Sequence, residues 1–212
     1  RHTYPESSKI IDMLESSVRR ASGMVQQVLS FARGQGGNKQ PVQPKSLVGE
    51  LQQMIDLTFP KSIHFRRYCA ANLPEIDVDP NQIHQVLVNL CINARDAMQD
   101  GGEIVISGVN TKVNAGDFAD APELAGDFVS LAVMDQGSGM TMEEWTKALQ
   151  PFQRLDPARG QKGHCGLGLA IVDHVVQRHH GHLTIAHGDP SRQQDPGRFA
   201  VVIVLPGNMQ TS

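Results

Sequence analysis

Asn89-Leu90-Cys91-Ile92-Asn93-Ala94-Arg95-Asp96-Ala97 carries two patterns at once. Read with the residues before it, Ile83, Leu87, Leu90, Ala94 and Ala97 step by alternating fours and threes, the buried stripe of an amphipathic helix. Asp79-Pro80 opens that helix with proline at its first turn, and Gly101-Gly102 ends it after about Met98. On the adjacent face Asn89, Asn93 and Asp96 repeat the same spacing, so three oxygen-bearing side chains point into one space. Amide and carboxylate oxygens suit a hard cation such as Mg²⁺, which keeps waters and shares its other positions with substrate phosphates. A polar helix edge would carry the same three residues.

Outward from this helix the chain alternates helical and strand patterns. Leu47 to Phe59 has helical apolar spacing, with Ser46 placed as N-cap and Pro60 as stop. Ile63 to Cys69, Glu103 to Asn110 and Phe128 to Met134 are β-rich, the last nearly continuous in apolar residues and so expected to be buried on both faces. Leu167 to His180 predicts a third helix, followed by strands at His182 to His187 and Arg198 to Leu205; Asp135 to Cys165 is expected to be irregular. The mixture predicts an α/β two-layer sandwich with one face of the sheet covered.

Two glycine-bearing segments sit where these elements end. Asp135-Gln136-Gly137-Ser138-Gly139-Met140 puts a carboxylate at a strand end before a flexible turn, and that carboxylate can accept a hydrogen bond from an exocyclic amine. Gly163-His164-Cys165-Gly166-Leu167-Gly168-Leu169 brings backbone N–H groups and a helix N-terminus to one point, a favourable place for phosphate. Taken singly, each glycine pair also fits an ordinary turn.

At the other end, Glu6 to about Arg33 repeats Ile11, Leu14, Val18, Ala21, Val25, Val28 and Ala32 at heptad spacing, the seam of a bundle helix. Gly34-Gln35-Gly36-Gly37-Asn38-Lys39-Gln40-Pro41 then predicts a linker. Residues 1–33, 34–41, 42–206 and 207–212 are thus expected to be bundle helix, linker, sandwich domain and tail. The 212 residues are 40% hydrophobic and 19% charged with a net charge of -3, which excludes a disordered chain and a basic nucleic-acid binder. There is no run of ~18 apolar residues and no apolar leader core. The three cysteines, Cys69, Cys91 and Cys165, lack metal-ligand spacing and predict reduced thiols in a cytosolic setting. His179, His180 and His182 lack a fourth convergent zinc ligand.

The four segments in this order, with Pro151-Phe152 between the two glycine segments, closely resemble the N box, first glycine box, F box and second glycine box of the catalytic domain of sensor histidine kinases. The resemblance spans about residues 42–206, and residues 1–33 resemble the second helix of that family's dimerisation and phosphotransfer domain. It implies a Bergerat-type ATP-binding sandwich whose mixed sheet is covered by helices on one face. It further implies that Asp135 meets the adenine amine beside Gly137 and Gly139, and that Asn93 holds Mg²⁺ with Asn89 assisting; Asp96, on the same helix face, is expected to contribute to binding the nucleotide. Backbone amides of Gly166, Leu167 and Gly168 hold phosphates, and Arg154 and Lys162 of the lid face the triphosphate, although such charges also fit a solvated loop.

The implied activity is transfer of the ATP γ-phosphate to a histidine of the dimerisation domain and onward to a response-regulator aspartate, in a homodimer. Cytoplasmic location, or the cytoplasmic part of a membrane-anchored sensor, goes with it. Asn89 is the expected catalytic position. It stands where related ATPases of the gyrase and MutL kind have a water-activating glutamate, and a neutral amide is no general base. An ATPase clamp of that kind, or a non-catalytic interaction module, are the alternatives. The chain departs from the family at His164 and Cys165, where paired glycines are usual, and none of its nine histidines has the setting of the phosphate acceptor. The sequence is therefore expected to start after the acceptor helix and not to label itself efficiently.

Overall fold

A computed structural model describes residues 38–98, 100–153, 166–187 and 198–208. The heptad helix expected over Glu6–Arg33 lies outside the described residues, as do Arg154, Lys162, His164 and Cys165. In chain order the elements are β1 (Gln40–Val42), α1 (Pro44–Thr58), β2 (Ile63–Cys69), β3 (Glu75–Val78), α2 (Pro80–Ala97), β4 (Gly102–Val113), β5 (Gly126–Asp135), α3 (Met142–Ala148), α4 (Gly168–Arg178), β6 (His182–His187) and β7 (Phe199–Asn208).

The strands form one seven-stranded sheet in the order β1-β3-β7-β5-β4-β2, with β6 also on β7. Only β2 and β4 run parallel, and every other pair is antiparallel. From Phe128 to Asp135 every residue of β5 is buried, as the continuous apolar run predicts for a strand with neighbours on both sides and cover on both faces. β7 has the same character, and the register sets Asp135 opposite Phe199.

Alternation divides these strands between two apolar clusters. Val129, Leu131, Val133, Val201 and Ile203 face the large core under α1, α2 and α4, where Leu51, Ile83, Leu87 and Ile171 are almost fully buried. Ala132, Met134, Ala200 and Val202 face the other way with Phe128, and Phe118 and Leu124 from the β4–β5 connection pack there. Helices therefore cover one face, and the mixed α/β sandwich expected from the sequence is the fold observed.

Local chemistry explains the helix limits. The Asp79 carboxylate accepts from the N–H groups of Asn81 and Gln82 at 2.9 and 3.2 Å, with Pro80 at the first helical position, where a missing N–H costs nothing. α1 starts two residues before the expected Ser46 cap: Pro44 begins the helix and the Ser46 N–H bonds the Gln43 carbonyl at 3.0 Å. The stretch expected to be irregular after Asp135 contains α3, whose Thr141 and Glu144 form a reciprocal capping box. Thr-x-x-Glu before Trp145 was the available signal, and Trp145 is buried in the main core. β1 occupies part of the expected linker, and β1 and β3, at three and four residues, are too short to show a period.

α4 ends in a Schellman arrangement. The Gly181 N–H bonds the Val176 carbonyl at 3.0 Å and the His180 N–H bonds that of Gln177 at 2.9 Å, leaving His180 in the left-handed region at φ 57°. A side chain there costs ~1–2 kcal/mol, partly offset by the lower chain entropy of a non-glycine residue. His180→Gly is expected to raise the melting temperature by about 2–4 °C, measured by thermal unfolding; a lower value would show that the imidazole makes a compensating contact.

Candidate nucleotide-binding site

Between α2 and the sheet end at Asp135 lies a cleft of about 530 Å³. Leu90, Ala94 and Ala97 of α2 form one wall, Val133, Phe199 and Val201 the sheet side, and Met140 and Leu169 the approaches. Among the described residues two polar side chains reach this lining, Asn93 and Asp135. An apolar slot with one buried carboxylate suits a flat, aromatic, amine-bearing ring.

Asp135 is 6% exposed. One carboxylate oxygen, Oδ1, accepts the Gly137 N–H at 2.7 Å, so the other is available to a donor in the cleft. Burial pushes its pKa up to about 6, while the Gly137 N–H opposes the rise. At neutral pH the group is therefore mainly ionised. Gly137 is required by close approach: a Cβ there would stand 2.7 Å from both Ala97 Cβ and Asp135 Oδ1, displacing the carboxylate. Gly139 completes the turn at φ 67° against Phe199.

The three polar positions of α2 separate. Asn93 lines the cleft, and a Cβ on Gly168 would come within 3.8 Å of its amide, so the helix carrying the N box meets the first residue of α4. Asn89, one turn earlier, is 3% exposed. Its Oδ1 accepts from Gln85 Nε2 at 3.4 Å, while its Nδ2 is buried without a hydrogen-bond partner. Half a turn of this amide together with that of Gln85 keeps their hydrogen bond with its direction reversed and presents an oxygen instead, an assignment that the hydrogen-bond network alone decides. An unserved amide beside Asn93 fits the donor set expected for Mg²⁺. Asp96 does not line the cleft: its Oδ1 accepts from Arg95 Nε and Nη2, both at 2.8 Å, and the guanidinium lies 5.1 Å from the centre of the Phe59 ring.

Gly166 takes φ 68°, and its carbonyl accepts the Phe152 N–H at 3.0 Å. A Cβ there would lie 2.5 Å from the Gln153 carbonyl oxygen, which is backbone and cannot swing aside. Gly166→Ala adds that clash to the ~1–2 kcal/mol cost of a left-handed alanine. It is expected to weaken ATP binding about tenfold or more while cooperative unfolding survives; unchanged affinity in a calorimetric titration would show that this turn does not shape the site. Leu167 and Gly168 follow as the N-cap and first residue of α4, with the helix N-terminus turned toward Asn93. Phe152, at φ 66° and 72% exposed, lies outside the core.

Several site residues were not legible in the sequence. Phe199 and Val201 reach the cleft only because β7 pairs with β5, a contact with no local signal. Gln136 Oε1 accepts the Glu103 N–H at 3.0 Å, tying the glycine turn to the start of β4. The Glu103 carboxylate in turn pairs with Arg66 and Arg198.

Residues 78–208 match the family described as histidine kinase-, DNA gyrase B-, and HSP90-like ATPase. Sensor kinase CckA of Brucella abortus is 30% identical over 175 residues, covering 80% of this chain and 18% of that protein. The structure of full-length ShkA in complex with AMPPNP superposes with a TM-score of 0.71 at 19% identity over 100% of this chain and 41% of that one. Mycobacterial sensor histidine kinase MprB gives 0.59 at 24% identity, covering 81% and 99%. The chain spans less than half the length of the curated relatives it matches. It belongs to the histidine kinase-, DNA gyrase B- and HSP90-like ATPase family. The relatives it resembles are named sensor kinases, and its fold is the ATP-binding sandwich that those solved structures share. Among the described residues no helix is long and apolar enough to cross a membrane.

Proposed function

We propose that this domain binds Mg·ATP and transfers its γ-phosphate to a histidine carried by a helical dimerisation domain, from which a response-regulator aspartate receives it. The observation that carries phosphotransfer over hydrolysis is the makeup of the cleft: among the described residues its only carboxylate is Asp135, at the apolar end, and Asn89 is a neutral amide. Among the described residues no general base stands where water would need activation. The ionised Asp135 accepts the adenine amine, and the ring lies between Leu90 and Ala94 on one side and Val133 and Val201 on the other.

The phosphates then extend toward the N-terminus of α4, where the amides of Gly166, Leu167 and Gly168 and the helix dipole favour anions. Asn93 and Asn89 would hold Mg²⁺, whose charge would offset that of the triphosphate. Arg154 and Lys162, which precede Gly166 in the sequence, supply further positive charge. A homodimer brings acceptor and donor together, and the domain works on the cytoplasmic side.

The purified domain, given γ-labelled ATP, Mg²⁺ and a separate helical hairpin bearing an acceptor histidine, is expected to place acid-labile label on the hairpin. Asn89→Ala is expected to reduce that labelling at least tenfold with the domain still folded. Rapid release of inorganic phosphate without an acceptor, lost in Asn89→Ala, would instead favour a hydrolysing clamp.

A further inference from the structure

α2 and α4 lie antiparallel and meet at both ends. At the cleft, Gly168 faces the Asn93 amide. At the far end His179, the C-cap of α4, reaches the N-cap of α2: the Asp79 N–H donates to His179 Nε2 at 3.0 Å. The other ring nitrogen, Nδ1, stands 2.7 Å from the Val175 carbonyl, so the proton belongs on Nδ1 and the lone pair on Nε2.

The ring is 3% exposed. Burial holds its pKa below the usual range, with Lys39 and Arg178 acting in the same direction and the Val175 carbonyl and Asp79 against it. The imidazole is therefore neutral, and its one acceptor serves a backbone N–H that nothing else at the N-cap serves. The Asp79 carboxylate is committed to Asn81 and Gln82. Lys39 Nζ, just ahead of β1, donates to the Arg178 carbonyl at 3.0 Å and holds the same end of α4.

We propose that His179 is a positioning residue for the nucleotide phosphates: by pinning the C-terminal end of α4 to the N-cap of α2, it sets the register of the two helices. That register fixes where the amides of Gly166, Leu167 and Gly168 stand relative to Asn93. α4 has 11 residues, so the two ends are separated by about 16 Å of rigid rod, and a slip at one end appears at the other. The adenine end depends less on that register, since Asp135 stands on β5 and takes its hydrogen bond from Gly137, and α4 reaches the cleft among the described residues only through Leu169 at its approach. The inference rests on the phosphate placement proposed above.

Two substitutions separate the ring nitrogens. His179→Asn keeps a donor near the Nδ1 position for Val175 but leaves the Asp79 N–H unserved; His179→Gln reaches that N–H with its terminal oxygen. In calorimetric titrations of the purified domain, His179→Asn is expected to weaken Mg·ATP about tenfold, the size of one net hydrogen bond, and adenosine by less than about threefold. His179→Gln is expected to keep both near wild type. By reciprocity of coupling, Mg·ATP must slow hydrogen exchange of the wild-type Asp79 amide beyond the global protection it gives the core amides, while adenosine adds no such excess, a measurement that holds even if His179→Asn does not fold. Equal losses for the two ligands in His179→Asn, or an Asp79 amide protected alike by both, would overturn the proposal. A wild-type domain that binds Mg·ATP no more tightly than adenosine would refute the phosphate placement itself, a result distinct from the other two.

Discussion

Asp135→Asn is expected to remove ATP binding while making the domain more stable at neutral pH. The pKa of Asp135 rises to about 6 because burial penalises its charged form. The folded state therefore holds the proton more tightly than the unfolded chain, whose aspartates titrate near ~3.9. Stability from this group is fully present below the unfolded value and is lost as pH rises through about 6, so the ionised carboxylate costs on the order of 2–3 kcal/mol at pH 8.

An asparagine pays no such cost and still accepts the Gly137 N–H through its oxygen. The melting temperature is expected to rise by several degrees at pH 8, about half as much at pH 5, where the unfolded chain is ionised but the folded carboxyl is not, and hardly at all below the unfolded value of ~3.9. Binding goes the other way. With its oxygen held by Gly137, the new amide presents N–H to the cleft, donor against donor for adenine. Losing a charge-assisted hydrogen bond and burying an unserved donor together remove about a hundredfold in affinity. A carbonyl-bearing purine would meet that N–H favourably, so discrimination between ATP and GTP is expected to narrow. Unchanged ATP affinity, or a gain in stability as large at pH 5 as at pH 8, would contradict this account.

Asn93→Ala is expected to abolish the part of ATP affinity that depends on Mg²⁺. Asn93 is the polar side chain of α2 on the cleft wall among the described residues, and it lies against Gly168, where the phosphates are proposed to lie. In the wild-type domain, chelating Mg²⁺ should weaken ATP binding about 30- to 100-fold, corresponding to roughly 2–3 kcal/mol from charge-assisted contacts. In Asn93→Ala, titrations with and without chelator should coincide, and adenosine should bind as it does to wild type, because Leu90, Ala94 and Asp135 are untouched. A variant that keeps the full response to Mg²⁺ would move the metal away from α2.

Much of this arrangement was legible in the sequence because its signals are local. A proline behind a capping aspartate marks the start of α2, an unbroken apolar run marks β5, and four motifs in order carry the class of protein. What escaped was either short or non-local. β1 and β3 are stabilised by pairing rather than by any periodicity of their own. Asp96 shares the spacing of Asn89 and Asn93, but its carboxylate goes to Arg95, held in turn over Phe59, a residue 36 positions earlier that no helical wheel includes. Spacing along α2 gives direction from the axis; what waits in that direction depends on α1 and the sheet.

The place of β7 has a consequence for how the domain is made. Of the described strands it is synthesised last, yet it lies inside the sheet, pairing with β3, β5 and β6 and supplying Phe199 and Val201 to the cleft. Until it emerges, the apolar β5 has an open edge and the adenine slot lacks a wall, so a nascent chain can build α2 and the β4–β5 ladder but no nucleotide site. Such high contact order slows folding and prolongs exposure of a strand that invites pairing with other chains. In a growing polypeptide, ATP binding is therefore a late reporter of completion, arising in the same step that closes the sheet.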